Sequence, residues 1–169
     1  MTLMTKPGVE PLKVEPEAIE EAAKLLYIRA CKILPDDIKA GFARLDGSET
    51  DATARTILAT MIENIGVAER LDNLLCQDTG IPIFNVLVGR NVQVDGWALK
   101  EAIAKGTARA TREHPLRSSV VHPITRKNEQ TSCGERVPVI NIDFTDAERE
   151  LRIEMIPKGS GSENGSFLQ

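Results

Sequence analysis

The sequence has few of the residues that would mark it for secretion, for a membrane or for a metal site of its own. Its three cysteines, Cys31, Cys76 and Cys133, are an odd number and lie far apart. This is neither a disulfide framework nor a CxxC zinc pattern. No apolar run approaches the ~20 residues that a membrane-spanning helix needs. The first residues also lack the apolar centre of a signal peptide. We therefore expect an intracellular, cytoplasmic chain that does not bind membranes.

Aromatic side chains and positive charge are also scarce. Aromatic residues make up 4% of the 169 residues, so aliphatic residues and alanine must form the core. The net charge of −4 argues against broad nucleic-acid binding, which needs a basic surface. One or two arginines in a pocket would still bind a small anion. With 41% hydrophobic residues, the chain is typical globular material for one domain or slightly more.

The first half of the chain predicts helices. We expect a flexible arm over residues 1–15 and a domain over residues 16–169. Apolar residues at three- and four-residue steps from Ile19 to Ile33 predict a helix that begins at Pro16 and carries Cys31. A short helix follows Pro35. A third begins after the capping residues Ser48 to Asp51 and ends at Gly66. The residues of this third helix expected to face the core are Leu58, Met61, Ile62 and Ile65.

The second half predicts strands and one more helix. "IPIFNVLVG" is typical of a buried strand, and Asp95 is placed to cap a helix that contains Gly106. "RVPVINIDF" and "LRIEMIP" predict two strands joined as a β-hairpin. The fold class expected is therefore α+β, with N-terminal helices followed by a mixed helix and strand region that contains the hairpin.

Two polar loops carry the residues suited to chemistry. The first is "LCQDTG", from Leu75 to Gly80. A nucleophilic cysteine needs a base, usually histidine, and nothing marks the two histidines of the chain as one. Metal or cluster binding is therefore the better functional interpretation of Cys76, against the alternative of a buried cysteine before a turn. Asp78 could transfer a proton, or it could form an ordinary Asx-turn.

The second loop is "PKGSGSEN", from Pro157 to Asn164. Its glycines and lysine are typical of a nest of backbone N–H groups that binds an anion, and equally of a flexible glycine–serine turn. Arginines in the irregular segment between His114 and Glu135, Arg117 among them, could hold a carboxylate, although any one of them could be a plain surface charge. Cys31 is expected to pack in the core. Cys133 is expected to be exposed, and a role as a reactive thiol stays open.

Taken together, the two loops resemble a known family. They and three shorter motifs occur in the order and near the spacing of the α subunit, or N-terminal domain, of class I iron–sulfur fumarases and their tartrate dehydratase relatives. The motifs that carry the resemblance are Cys76–Gly80, Leu116–Ser118, Arg126–Asn128, Val137–Ile140 and Pro157–Asn164.

The resemblance implies a hydro-lyase that hydrates fumarate to malate reversibly, with a 4Fe–4S cluster as Lewis acid, in the tricarboxylic acid cycle. The close alternative that it implies is a tartrate dehydratase α subunit. It also implies a small dicarboxylate substrate, a β subunit or C-terminal domain as partner, and a homodimer of such αβ units. In the family the cluster is held by three cysteines, and Cys76 matches the first of them.

The resemblance also assigns roles to residues of the two loops. Asp78 and Thr79 are the expected catalytic residues, with proton transfer at carbon assigned to Asp78. The residues expected to bind substrate are Gln77, Asp78, Arg117, Lys158, Gly159 and Gly161.

The chain departs from the family pattern in two respects. The family's other two cluster cysteines follow the glycine-rich loop, and neither Cys31 nor Cys133 matches them. The segment from Asn128 to Arg136 is longer than its family counterpart and differs from it, which leaves the substrate open. We therefore expect a truncated α-type domain that is inactive alone. The alternative from another class is a cluster-free, non-catalytic interaction domain.

Overall fold

The computed structural model describes residues 10–76 and 78–159, and the statements below concern these residues. The chain contains both helices and strands, with three helices in succession near its start, which confirms a mixture of α and β structure. In chain order the elements are β1 (Leu12–Lys13), α1 (Pro16–Lys32), α2 (Asp36–Ser48), α3 (Ala52–Arg70), β2 (Ile81–Gly89), β3 (Val92–Gln93), α4 (Gly96–Glu113), β4 (Val139–Thr145) and β5 (Leu151–Lys158).

The main sheet has three strands in the order β4–β2–β5. Strand β4 is parallel to β2, and β5 is antiparallel to it. The predicted hairpin is therefore wrong, because β4 and β5 lie on opposite sides of β2. The reason is that β2 is the strand with fully buried side chains, Phe84 and Val86 among them, and a buried strand needs hydrogen-bonding partners along both edges.

The connection from β4 to β5 crosses over the end of β2. The backbone N–H of Gly89 donates a hydrogen bond to the carbonyl oxygen of Glu150 at 2.8 Å, and that of Arg90 donates to Ala147 at 2.8 Å. A Cβ at position 89 would lie 2.8 Å from both of these carbonyl oxygens, so only glycine allows the crossing. The short connection between Thr145 and Leu151 could equally join two neighbouring strands of a hairpin. The sequence pattern therefore did not distinguish a hairpin from two strands on opposite sides of β2.

Helices α1 and α4 cover one face of the sheet. Gly106, predicted inside α4, permits their close approach, because a side chain there would collide with the backbone of Glu20 and with Ala23. The predicted cap Asp95 is confirmed, since its carboxylate accepts the N–H of Ala98 at 2.7 Å. The buried residues of this core are Ile19, Ala23, Phe84, Val86, Val88, Leu99, Ala102 and Ile103.

Helices α2 and α3 pack against each other. The predicted cap Asp51 is confirmed, since its carboxylate accepts the N–H of Ala54 at 2.8 Å. The predicted end of α3 at Gly66 is wrong, because the helix continues to Arg70. One glycine costs a helix only about 1 kcal/mol and does not end it. Among the predicted core positions Leu58 is buried, whereas Met61 is 47% exposed.

The start of the described chain is tied to the domain. Within the predicted arm over residues 1–15, strand β1 pairs in parallel with β3, Leu12 opposite Val92. The division into an arm and a domain stays a prediction. In the part of the chain that the structure describes, no helix combines the length and the apolar character that crossing a bilayer requires.

Candidate functional site

The two polar loops leave the sheet at the same place. The first runs directly into β2, which starts at Ile81, and the second begins at the end of β5, which finishes at Lys158. Because β2 and β5 are antiparallel and pair Ile81 with Lys158, the first strand starts where the second one ends. The topology therefore brings together two segments that are far apart in the sequence.

A glycine allows the loops to touch. Gly80 has a φ of +70°, in the left-handed region that residues with a side chain rarely adopt. A Cβ on Gly80 would lie 2.5 Å from the carbonyl oxygen of Lys158. The bare backbone of the first loop thus lies directly against the backbone at the start of the second.

Residues of both loops line one cavity of about 230 Å³, beside the end of α1. Three of the predicted site residues, Cys76, Asp78 and Gly159, lie in its wall. Lys158 precedes Gly159 and donates a hydrogen bond from Nζ to the Gly159 carbonyl oxygen at 2.7 Å. The cavity suits a small ligand rather than a cofactor of nucleotide size. Two further predicted residues, Gln77 and Gly161, lie outside the described residues.

Cys76 and Asp78 combine turn geometry with access to the cavity. The Cys76 side chain is exposed, and its thiol donates to the Asp78 carbonyl oxygen at 3.5 Å. The half-buried Asp78 carboxylate accepts the N–H of Gly80 at 3.3 Å. This contact is the Asx-turn that the sequence allowed. The turn and the functional interpretation are compatible, because the turn holds the carboxylate at the cavity.

Thr79 connects the first loop to the segment that contains Arg117. Its side chain is buried, 2% exposed, and its hydroxyl donates a hydrogen bond to the carbonyl oxygen of Arg117. Ser119 Oγ donates to the Gly80 carbonyl oxygen at 3.2 Å, which adds a second link between the same segments. These contacts give Thr79 a positioning function, and its catalytic assignment stays a prediction.

A buried network of hydroxyl groups supports this junction, and sequence analysis missed it. Tyr27 is fully buried on α1, and its hydroxyl donates to the Thr79 carbonyl oxygen at 3.4 Å. Burial raises the pKa of the Tyr27 phenol above its usual value. Ser118 Oγ accepts the N–H of Ser132 at 3.0 Å, and Thr111 on α4 donates to the hydroxyl of Ser132 at 3.1 Å. The sequence signal was a tyrosine on the apolar face of a helix, which has the same pattern as ordinary core packing.

The basic residues of the irregular segment differ in their surroundings. The Arg117 side chain is exposed, and no carboxylate of the described chain lies within ion-pairing distance of it. Lys127 forms an exposed ion pair with Glu129 at 2.7 Å, and this contact favours a surface role for it. Asn128 donates from its amide to the Ser118 carbonyl oxygen at 2.9 Å, so it fixes the residue next to Arg117.

Of the other two cysteines, Cys31 lies in the core as predicted, whereas Cys133 does not have its predicted exposure. Cys31 packs against the core as expected, but it also lines the cavity beside Cys76. Burial, followed by the nearby Cys76 thiol, raises the pKa of the Cys31 thiol from 9.0 to about 12. Cys133 is half-buried rather than exposed, because its thiol donates to the Ala104 carbonyl oxygen of α4 at 3.4 Å. Burial also raises the pKa of the Cys133 thiol.

The described residues offer one accessible thiol for a metal cluster and no complete ligand set. Cys76 fits as a ligand because its sulfur is exposed at a cavity. Within residues 10–76 and 78–159, no group of three or more histidine, cysteine, aspartate or glutamate side chains could hold a metal ion. A cluster at Cys76 would therefore need ligands from outside the described residues.

A family model and the related proteins point to the same family. A family model described as "Fumarate hydratase (Fumerase)" matches residues 20–169. A Methanocaldococcus jannaschii protein, named provisionally as L(+)-tartrate dehydratase subunit alpha, is 39% identical over 153 residues, which cover 89% of this chain and 54% of that protein. A Geobacillus stearothermophilus protein, named provisionally as fumarate hydratase class I, is 32% identical over 149 residues, covering 88% and 28% of the two chains.

A third relative is the L(+)-tartrate dehydratase subunit alpha of Escherichia coli strain K12. It is 30% identical over 128 residues, which cover 76% of this chain and 42% of the relative. The chain thus spans about half or less of the length of the curated relatives that it matches.

Proposed function

Because this chain belongs to the fumarate hydratase (Fumerase) family, we propose that it forms part of a hydro-lyase that interconverts fumarate and malate. The reaction removes a poorly acidic proton from carbon and expels a hydroxyl group from its neighbour. It needs a base at the carbon, assistance for the leaving oxygen and groups that hold the two carboxylates. The observation that carries the proposal is the junction of the two loops around one cavity, with Cys76, Asp78 and Gly159 in its wall.

Asp78 is the proposed base. Its half-buried carboxylate lies in the cavity wall, and the hydrogen bond from the Gly80 N–H fixes its orientation. In the direction of malate dehydration it accepts the proton from carbon, and in the direction of hydration it returns that proton. Thr79 has a positioning role. The hydrogen bond from its hydroxyl to the Arg117 backbone sets the distance between the proposed base and the carboxylate-binding segment.

Arg117 and the second loop are the proposed carboxylate-binding groups. The Arg117 guanidinium can donate two parallel hydrogen bonds to a substrate carboxylate. Lys158 lies in the chain between Pro157 and Gly159, which line the cavity, and we assign to it and to the backbone around Gly159 the positive charge and N–H groups of the second loop. As charge builds up on the carboxylates during proton removal, these groups stabilise it. Gln77 and Gly161 are assigned to substrate binding by the same resemblance.

Cys76 is the proposed ligand that this chain contributes to a 4Fe–4S cluster. A cluster with an open coordination position supplies Lewis-acid assistance to a leaving hydroxyl. The chain's own contribution is an exposed thiol at the cavity, next to the proposed base. The remaining ligands would come from outside the described residues.

The proposed assembly is larger than this chain. Two of the relatives are named as α subunits, and both are longer than the region they share with this chain. We therefore propose a β subunit or C-terminal domain as partner. From the family resemblance we further propose a homodimer of αβ units and a cytoplasmic enzyme.

The test is an assay of fumarate hydration and malate dehydration without oxygen, on the chain purified together with its partner. Activity that falls at least about 100-fold in Asp78→Asn, the size expected for loss of general acid–base catalysis, would support the proposal. Activity of Asp78→Asn equal to that of the wild type would remove Asp78 from the mechanism. A folded assembly with cluster but no turnover of any 2-hydroxy dicarboxylate would overturn the hydro-lyase proposal.

A second candidate is tartrate dehydration, favoured by two relatives that are named as tartrate dehydratase α subunits. The chemistry is the same, on a substrate with one more hydroxyl. The ratio of kcat/KM for malate and L(+)-tartrate in the same preparation separates the two. A cluster-free interaction domain remains the alternative if the folded assembly contains no iron and has no activity.

A further inference from the structure

Cys31 and Cys76 are distant in the sequence but adjacent in the fold. The backbone N–H of Leu75 donates a hydrogen bond to the carbonyl oxygen of Cys31 at 3.1 Å. The residue directly before Cys76 is therefore fixed to the end of α1. A disulfide requires Cα atoms within about 7 Å of each other, and this backbone contact holds the residue next to Cys76 directly against Cys31.

The two thiols also turn toward the same part of the first loop. The Cys76 thiol lies 3.5 Å from the Asp78 carbonyl oxygen, and the Cys31 thiol lies 3.9 Å from the carbonyl oxygen of the next residue, Thr79. Both cysteines line the cavity of about 230 Å³. The backbone contact, the sulfur positions and the shared cavity all place the two sulfur atoms beside the same short stretch of the loop, Asp78 and Thr79.

We propose that Cys31 and Cys76 form a reversible disulfide when a peroxide reaches the chain while Cys76 carries no metal. Cys76 reacts first because its side chain is exposed, whereas Cys31 is half-buried. The Cys76 thiolate attacks hydrogen peroxide, the O–O bond breaks, and with one proton the products are Cys76 sulfenic acid and water. The Cys31 thiol then attacks the sulfenic sulfur, an S–S bond forms, and a second water leaves.

The disulfide would prevent Cys76 from binding a cluster. A Cys76 sulfur in a disulfide cannot bind iron, and it is also protected from irreversible oxidation to sulfinic acid. Two equivalents of a small thiol restore both cysteines by exchange and carry away the oxidising equivalents as their own disulfide. This consequence rests on the proposed function of Cys76 as a ligand, whereas the disulfide itself does not.

The test uses the whole chain of 169 residues in its metal-free form. The reduced protein is treated with hydrogen peroxide, the remaining thiols are alkylated, and the peptides are identified by mass spectrometry. We expect a cross-link between the Cys31 and Cys76 peptides within one molecule, with Cys133 alkylated, and complete reversal by dithiothreitol. Cys133→Ser is the matched control and should form the same cross-link. Cys31→Ser should form none and should accumulate sulfinic acid at Cys76.

Three results would overturn the proposal in a wild-type chain whose circular dichroism shows it to be folded. They are a cross-link that involves Cys133, a cross-link only between two molecules, or oxidation of Cys76 to sulfinic acid with Cys31 still alkylated. Iron uptake by the oxidised chain together with its partner is measured separately. If the disulfide forms but iron uptake is undiminished, the disulfide stands and the assignment of Cys76 as ligand is wrong.

Discussion

Gly80 lies directly against Lys158, and this contact joins the two polar loops. The left-handed backbone of Gly80, φ +70°, and the 2.5 Å that would separate a Cβ from the Lys158 carbonyl oxygen leave no room for a side chain. The site at Cys76 and Asp78 therefore depends on a residue that contributes no chemical group of its own.

Gly80→Ala should destabilise the chain and lower activity in the assembly. The positive φ alone costs about 1–3 kcal/mol for a residue with a side chain, and the contact with the Lys158 backbone adds to it. The free energy of unfolding, measured with urea, is the readout. Gly66→Ala is the matched control. It lies inside α3 with open space around it, so it should stabilise the helix by about 0.5–1 kcal/mol. Equal effects of the two substitutions would contradict the close contact.

Thr79→Val should separate the two segments that the Thr79 hydroxyl joins. The substitution keeps the shape but removes the hydrogen bond to the carbonyl oxygen of Arg117, and a lost hydrogen bond of this kind costs about 0.5–1.5 kcal/mol. We expect a lower urea midpoint and a higher KM, because Arg117 is no longer held in place. Thr79→Ser keeps the hydroxyl and should keep the KM of the wild type. An unchanged KM in Thr79→Val would show that this bond does not position the substrate-binding segment.

Arg117→Ala should weaken substrate binding without removing the cluster. Loss of a hydrogen bond to a charged group costs about 1.5–3 kcal/mol, so KM should rise by about 10- to 150-fold. Iron content should stay at the wild-type level. Lys127→Ala is the control, because its ammonium group is already paired with Glu129 at the surface. If KM rises in the control and not in Arg117→Ala, the carboxylate assignment belongs to a different residue.

The ion pair between Lys32 and Asp72 predicts a pH dependence of stability. Lys32 is buried, and its ammonium donates to the exposed Asp72 carboxylate at 2.8 Å. This bond lowers the pKa of Asp72 below its usual 3.8. A carboxyl group with a lowered pKa stabilises the fold above its unfolded-state pKa, and this stabilisation is lost as the pH falls through the folded-state pKa.

The wild type should therefore exceed Asp72→Asn in the free energy of unfolding near neutral pH. This difference should shrink as the pH falls below 3.8. Urea unfolding of both proteins over the acidic range measures it. A difference that stays constant across this range would mean that the ion pair is not its source.

Local signals predicted the helices that carry the core, but not the partners of each strand. The apolar spacing of α1 and the caps Asp51 and Asp95 could be interpreted correctly, because they depend on neighbours within one or two turns. The predicted hairpin was wrong because β4 and β5 each pair with an edge of β2, which lies about 60 residues earlier in the chain. A local sequence pattern does not show a pairing over this distance.

The sequence also predicted one part of the candidate site and not the other. The two loops could be found from their motifs, and the cavity brings together Cys76, Asp78 and Gly159. Tyr27 and Cys31 could not be predicted as neighbours of the site, because on the sequence both are part of a helical pattern that indicates core packing. Contacts that the folded chain alone shows, such as the backbone hydrogen bond from Leu75 to Cys31 and the bond from Tyr27 to Thr79, bring that end of α1 to the loop.

The most direct test of the account is the iron and acid-labile sulfide content of the chain, purified without oxygen together with any subunit that accompanies it. The wild type and Cys133→Ala should contain close to one 4Fe–4S cluster for each chain, and Cys76→Ala should contain none. A folded wild-type protein without iron, or a Cys76→Ala protein that keeps its iron, would contradict the central claim that Cys76 binds the cluster of a hydro-lyase.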